Sequence, residues 1–181
     1  FAILLSYPLP LIPVQILWVN LVTDGLPAMA LSMDRPEKNV MDEKPRHPNE
    51  RILSRGLGWK IISRGLLIGL VSLIAFIASY HMSNDITYAR TIAFSTIIVA
   101  QLIHVFDCRN ERGIWTRSPF GNLYLVGAVL SSLILLFVVL YVPFLQQIFQ
   151  TVPLLKGDWG MIVLLGSVPT IVNIFTKHRK K

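Results

Sequence analysis

Asn20, Thr23 and Asp24 are oxygen-bearing side chains set in a predominantly apolar stretch, Pro13-Val-Gln-Ile-Leu-Trp-Val-Asn20-Leu-Val-Thr23-Asp24-Gly25-Leu-Pro27. At α-helical spacing, residues three and four apart share one face. Gly25 and Pro27 are expected to weaken the helix directly after them. Pro27 has no N–H and disrupts the bond to the carbonyl of Thr23, which frees main-chain oxygens there. Carboxylate, amide, hydroxyl and carbonyl oxygens are what a hard cation such as Ca²⁺ collects, about six to eight of them at about 2.3–2.6 Å in irregular geometry. A charged Asp at the centre of a bilayer costs at least about 2.5 kcal/mol on insertion scales, so it needs a compensating role. Cation coordination supplies one; the plainer alternative is that Asn20 and Thr23 hydrogen-bond to neighbouring helices.

The elements that must position these residues are membrane helices. The chain is 53% hydrophobic, and its apolar residues fall in runs of about twenty, the length that crosses a hydrocarbon core of about 30 Å. The pattern predicts an all-α, polytopic transmembrane bundle with five full spans plus the end of a truncated helix. Phe1–Tyr7 is the truncated piece, closed by Pro8 and Pro10. The spans cover about Ile12–Leu31, Leu57–Tyr80, Thr91–Phe106, Leu123–Val142 and Trp159–Phe175, with an aqueous loop at about 34–56 that is rich in charge and proline. Because the chain begins at Phe1 without Met, it is expected to be a piece of something longer. Gly65 and Gly69 form a GxxxG in the second span, where another helix can approach closely.

Charge sets the orientation. Of the 17 Lys and Arg, eight lie from Arg35 to Arg64, three from Arg109 to Arg117 and four from Lys177 onward, all on one side; Arg90 and Lys156 lie opposite. Basic loops stay in the cytoplasm, so the Asp34 loop and the C-terminus are expected there. The net charge of +7 comes from residues between and after the apolar runs, not from a basic helix with interleaved aromatics, so no nucleic-acid partner is expected. Cys108 is the single cysteine, and the four histidines have no metal-ligand spacing.

The run IPVQILWVNLVTDGLPAMAL, followed by a loop containing MDEKPRHP, resembles the sixth transmembrane helix and following loop of P-type Ca²⁺-ATPases, closest to the sarco/endoplasmic-reticulum type. The resemblance implies that residues 1–181 are the C-terminal part of the membrane domain, from the end of the fifth helix to the tenth. It implies a partly unwound sixth helix whose Asn20, Thr23 and Asp24 coordinate Ca²⁺, with ATP and Mg²⁺ used only by domains absent from this chain. The expected partners are the lipid bilayer and the missing N-terminal helices and cytoplasmic domains of the same pump. Related Na⁺/K⁺ pumps carry an acid at the position of Asn20, and plasma-membrane Ca²⁺ pumps usually lack the Thr.

One departure matters. Where the sarco/endoplasmic-reticulum type supplies a Glu from its eighth helix, this sequence has Gln101. The plasma-membrane type is similar there and uses a single site, so one Ca²⁺ per cycle is expected, with Gln101 either a ligand or a polar packing residue. His104, one turn from Gln101, either approaches the ion path or packs as a neutral side chain. Asp107 and Arg109 are expected to cap or snorkel at the boundary. Cys108 is either lipidated or a silent thiol, and Asp42 and Glu43 lie in a loop that either meets the phosphorylation domain or is solvated. The competing readings of the whole are a self-contained membrane protein, such as a small carrier, channel or assembly subunit, and a related Ca²⁺/Mn²⁺ pump. The short loops favour a bacterial cell membrane.

Overall fold

A computed structural model of the chain describes residues 2–3, 6–34, 57–109 and 121–178, the side chains of 175–178 excepted. Among them five helical segments are long and apolar enough to cross a membrane, and no strand occurs. The first is composite: α1 (Pro13–Trp18), a π-helical turn (Val19–Asp24) and α2 (Gly25–Ser32) run end to end. It is followed by α3 (Leu57–Ser83), α4 (Ile86–Cys108), α5 (Leu123–Tyr141), the short α6 (Pro143–Phe149) and α7 (Lys156–His178). The expected loop over 34–56, with Asp42 and Glu43, lies outside the described residues beyond Asp34, as do 110–120 and 179–181.

Helix boundaries follow local chemistry that hydropathy alone does not register. The expected gap between Tyr80 and Thr91 shrinks to two residues. Asn84 takes the left-handed conformation (φ 51°) and bonds back to the Tyr80 carbonyl at 2.9 Å. Asp85 then caps α4, its Oδ1 accepting from Thr87 N at 2.8 Å and Tyr88 N at 3.3 Å. Asn readily adopts the left-handed state and Asp is a favoured N-cap, so the polar residues make a tight hairpin. The fifth span likewise begins at Lys156 rather than Trp159, because Asp158 accepts from the Leu155 amide at 2.7 Å and organises the first turn.

At the N-terminus, Tyr7 N bonds Ala2 O and Ser6 N bonds Ile3 O, both at 3.0 Å, with Ser6 left-handed (φ 58°). That pair of bonds is how a helix C-terminus closes; Phe1, Leu4 and Leu5 lie outside the described residues. The sequence has 143–158 as a connection between spans, whereas Pro143 opens α6 at its first turn and left-handed Gln150 (φ 48°) closes it.

The composite span is held at both ends. Gln15, fully buried, donates from Nε2 to the Phe149 carbonyl at 3.0 Å and accepts from Ile12 N at 3.2 Å, which ties α1 to α6. At the other end Asn122 donates to the Ala30 carbonyl at 3.0 Å while its Oδ1 caps α5 through Leu125 N at 3.1 Å. Asp34, just past α2, meets Arg109 in a two-pronged ion pair at 2.8 and 3.2 Å. Such fork geometry fixes orientation as well as charge.

The bundle is centred on α4, which packs against α3 on one side and α7 on the other. Its buried face alternates large and small side chains, Ala89, Ile92, Ala93, Phe94, Ile98 and Ala100. Small residues matter because lipid is as apolar as the helices, so close approach rather than water exclusion drives association. Gly166 of α7 meets α4 at the closest point: a Cβ there would lie 3.1 Å from Val99 Cγ1 and 3.3 Å from Ala100 N. Gly166→Val is therefore expected to destabilise the protein by about 1–3 kcal/mol through overpacking. A thermal unfolding curve in detergent checks this, and an unchanged midpoint would mean that α4 and α7 do not depend on that approach.

Candidate functional site

The π-helical turn lies on the residues singled out by their chemistry. The sequence places the weakening at Gly25 and Pro27, directly after Asp24, with oxygens freed around Thr23; the irregular turn covers Val19–Asp24, and the helix is regular from Gly25 to Ser32. A π turn bonds to the fifth residue rather than the fourth and so takes more than 3.6 residues per turn. This alters the expected shared face. Asn20 and Asp24 remain on the exposed side, whereas Thr23 is rotated inward and is only 3% exposed.

Pro27 supports the irregularity through the donor it lacks. It offers no N–H to the carbonyl four residues back, Thr23, or five back, Val22. The Val22 carbonyl receives Ser132 Oγ of α5 at 3.4 Å. The Thr23 hydroxyl has no hydrogen-bond partner. Buried polar atoms without partners are uncommon in membrane and soluble interiors alike, and they mark positions where an ion, a water or a group from elsewhere completes the set.

Thr23 and Asp24 face a cleft of about 360 Å³ whose other walls come from α3 and α4. From α4 it is lined by Gln101, His104 and Cys108, and from α3 by Lys60 and Arg64. The Gln101 Oε1 is buried without a hydrogen-bond partner. The fold thus brings Thr23, Asp24 and Gln101 to one cavity across about 80 residues of sequence, while Asn20 lies on the same π turn but outside the cleft lining. Among the described residues no group of three or more His, Cys, Asp or Glu could hold a metal. The donors here are instead a mixed set, one carboxylate, one hydroxyl and one amide oxygen, of the kind a hard cation accepts.

Arg109 stands at the C-cap of α4, within the expectation, whereas Asp107 departs from it. Neither snorkels. Asp107 is 1% exposed and sits in a polar cluster joining three helices. Arg64 Nη2 of α3 approaches it at 3.7 Å, Asn173 Nδ2 of α7 donates to it, and His104 Nδ1 lies 3.8 Å away. Arg64 Nη2 also donates to Asn173 Oδ1 at 3.0 Å. Arg109 pairs with Asp34, as above. The available sequence signal was the presence of Arg64, Asp107 and Asn173 within or beside apolar spans, since polar groups at membrane depth pair with one another. Ser132 gave no comparable signal, because a lone Ser in a span is ordinary.

The family described as cation transporting ATPase, C-terminus, matches residues 8–179. A protein of Bacillus subtilis (strain 168) named "Calcium-transporting ATPase" is 58% identical over 173 residues, which cover 95% of this chain and 19% of that protein. "Calcium-transporting ATPase 1" of Bacillus cereus (strain ATCC 10987 / NRS 248) is 36% identical over 197 residues, 99% of this chain and 22% of that protein. The chain thus spans about a fifth of the length of these relatives. With its helical spans and a family match running almost from end to end, the chain belongs to the C-terminal membrane family of the cation-transporting ATPases.

Proposed function

We propose that this chain is the C-terminal membrane part of a P-type ATPase that moves Ca²⁺ across a membrane, and that Asn20, Thr23 and Asp24 supply part of its intramembrane ion site. One observation carries the reading: a carboxylate, Asp24, stands on a π-helical turn within a spanning helix, with the unpartnered Thr23 hydroxyl and Gln101 carbonyl lining the same cleft. The names of the Bacillus relatives support Ca²⁺ as the transported ion. In this reading the chain runs from the end of the fifth membrane helix to the tenth. The remaining acidic ligands, together with ATP and Mg²⁺ binding, belong to parts of the pump outside it. The bacterial cell membrane is the expected location, with the Asp34 loop and the C-terminus in the cytoplasm.

Gln101 refines the stoichiometry. A neutral amide contributes an oxygen but no charge, and two divalent ions held close together need more negative charge than one. The expected value is one Ca²⁺ transported per ATP hydrolysed. The whole pump reconstituted in sealed vesicles, with radioactive Ca²⁺ uptake measured against phosphate release, tests both claims. Absence of ATP-driven uptake would overturn the transport assignment, and two Ca²⁺ per ATP would overturn the single site. Equal uptake of Mn²⁺ would identify the broader Ca²⁺/Mn²⁺ pump.

A further inference from the structure

Between α5 and α7 the chain carries no charge. No Asp, Glu, Lys or Arg occurs from Ser118 to Leu155, whereas the loop over 34–56 is dense in both signs. A connection in water has no need to exclude charge; one at membrane depth does, because an ionised side chain is costly there. Helix α6 opens this connection, and its outward face is apolar. Phe144 is 70% exposed, and Ile148, four residues on and so on the same face, is exposed as well. Leu155, just before α7, is 74% exposed. Gln147 and Gln150, also exposed, fill the adjoining stripe.

This face continues one that already belongs to the bilayer. Along α5 the exposed side chains Leu130, Ile134, Phe137 and Tyr141 recur at three- and four-residue spacing, the lipid-facing stripe of a spanning helix. The stripe ends where Tyr141 Oη accepts from Trp159 Nε1 at 3.1 Å, with the Trp159 ring against Phe137 at 4.7 Å between centroids. Tyr and Trp together are characteristic of headgroup depth. Only Val142 separates Tyr141 from α6, so α6 starts at that depth.

The main chain here is prepared for a setting short of water. The last carbonyls of α5 have no partner within their own helix, yet the Val139 carbonyl receives Thr151 Oγ1 at 3.1 Å and the Leu140 carbonyl receives Gln146 Nε2 at 2.6 Å. Beyond α6, Val152 N donates to Thr91 Oγ1 at 3.1 Å, Tyr141 Oη donates to the Leu154 carbonyl at 3.0 Å, and Leu155 N donates to Asp158 at 2.7 Å. Irregular backbone at membrane depth is tolerated only where internal partners of this kind replace water. We propose that the segment 142–155 is not an aqueous loop but an interfacial element at the end of the bundle opposite Asp34. It seats Phe144, Ile148 and Leu155 among lipid headgroups and the adjoining acyl carbons, with Gln147 and Gln150 toward water. The inner side of α6 meanwhile holds α1, through Phe149 edge-on to Trp18 at 5.0 Å between centroids and through the Gln15 bond to the Phe149 carbonyl. The depth of α6 in the bilayer thereby sets the height of the composite span that carries Asp24.

Nitroxide labels test the seating. The whole pump, freed of other reactive thiols and reconstituted in lipid vesicles, carries one label at a time through Phe144→Cys, Gln147→Cys or Ile148→Cys. Collisions with oxygen, which concentrates in lipid, are compared with collisions with a water-soluble nickel chelate. The ratio is expected to favour oxygen at 144 and 148 and to invert at 147. Free access of the chelate at all three positions would make the segment an aqueous loop and overturn the proposal. Shielding of 144 and 148 from both reagents would mean that another protein surface covers the face, and would overturn it equally. Should the variants fail to fold, the unaltered pump decides: a phospholipid with a diazirine on its acyl chain close to the headgroup must label the peptide spanning 143–155 on photolysis, read by mass. Labelling of α5 without labelling of that peptide would overturn the proposal. None of these readouts needs Ca²⁺ or ATP, so failure of the transport assignment leaves them intact.

Discussion

Asp24→Asn is expected to raise the Ca²⁺ concentration needed for phosphorylation of the whole pump by ATP at least about 100-fold, corresponding to about 2.8 kcal/mol of binding free energy. Asn preserves the size of the side chain and one of its oxygens but removes the charge. A carboxylate about 2.4 Å from a divalent ion contributes about 14 kcal/mol of attraction at an effective dielectric of 20, most of it offset by stripping water from both groups. The amide forfeits the attraction, while the dehydration of the ion is still required. The effect should be confined to ion affinity, because Asp24 lies on the exposed side of its turn and supports no described contact between helices. Phosphorylation with unaltered Ca²⁺ dependence would show that Asp24 is not a ligand.

Asp107→Ala should have the largest effect on stability, about 3–5 kcal/mol, the cost of removing one partner from a buried ion pair. The carboxylate is buried among Arg64 of α3, His104 of its own helix and Asn173 of α7. Its loss leaves Arg64, whose side chain is only 21% exposed, with a neutral amide in place of an opposing charge. Asn173 at the same time loses an acceptor. The three-helix contact at this end of the bundle should loosen, and thermal unfolding in detergent measures the loss. A midpoint within a degree or two of the unaltered protein would mean that the cluster adds specificity rather than stability.

The spans were legible in the sequence because the bilayer imposes a length and a composition, and both can be read residue by residue. The turns between them were less so. Asn84 and Asp85 close a two-residue hairpin through backbone and capping bonds that a hydropathy window averages away. Helix α6 was missed for a related reason: seven residues are too few for periodicity to register, and only Pro143 announced its start. At the candidate site, residue types singled out Asn20, Thr23 and Asp24 and the resemblance singled out Gln101; of these, Thr23, Asp24 and Gln101 line the cleft. Their rotation about the helix axis was hidden, because spacing rules assume 3.6 residues per turn and the chain there follows another count. The cluster around Asp107 was hidden for the opposite reason, since its partners Arg64 and Asn173 lie 43 and 66 positions away along the chain.

The π-helical turn also separates the composite span into two mechanically distinct lengths. Below it, α1 is fastened to α6 through Gln15; above it, α2 is fastened to α5 through Asn122 and to α4 through Asp34 and Arg109. A uniform α-helix would transmit a push or twist from one fastening to the other as a rigid rod. A segment carrying surplus residues in its winding behaves as a slipping joint: exchanging a bond to the fifth residue for one to the fourth rewinds the helix locally, with little change in the number of bonds made. Torque applied at the Asp34 end can therefore be spent on rotating Asn20, Thr23 and Asp24 about the axis while α1 stays docked. The donors for an ion would be reoriented by the winding of a single turn, without any helix having to tilt.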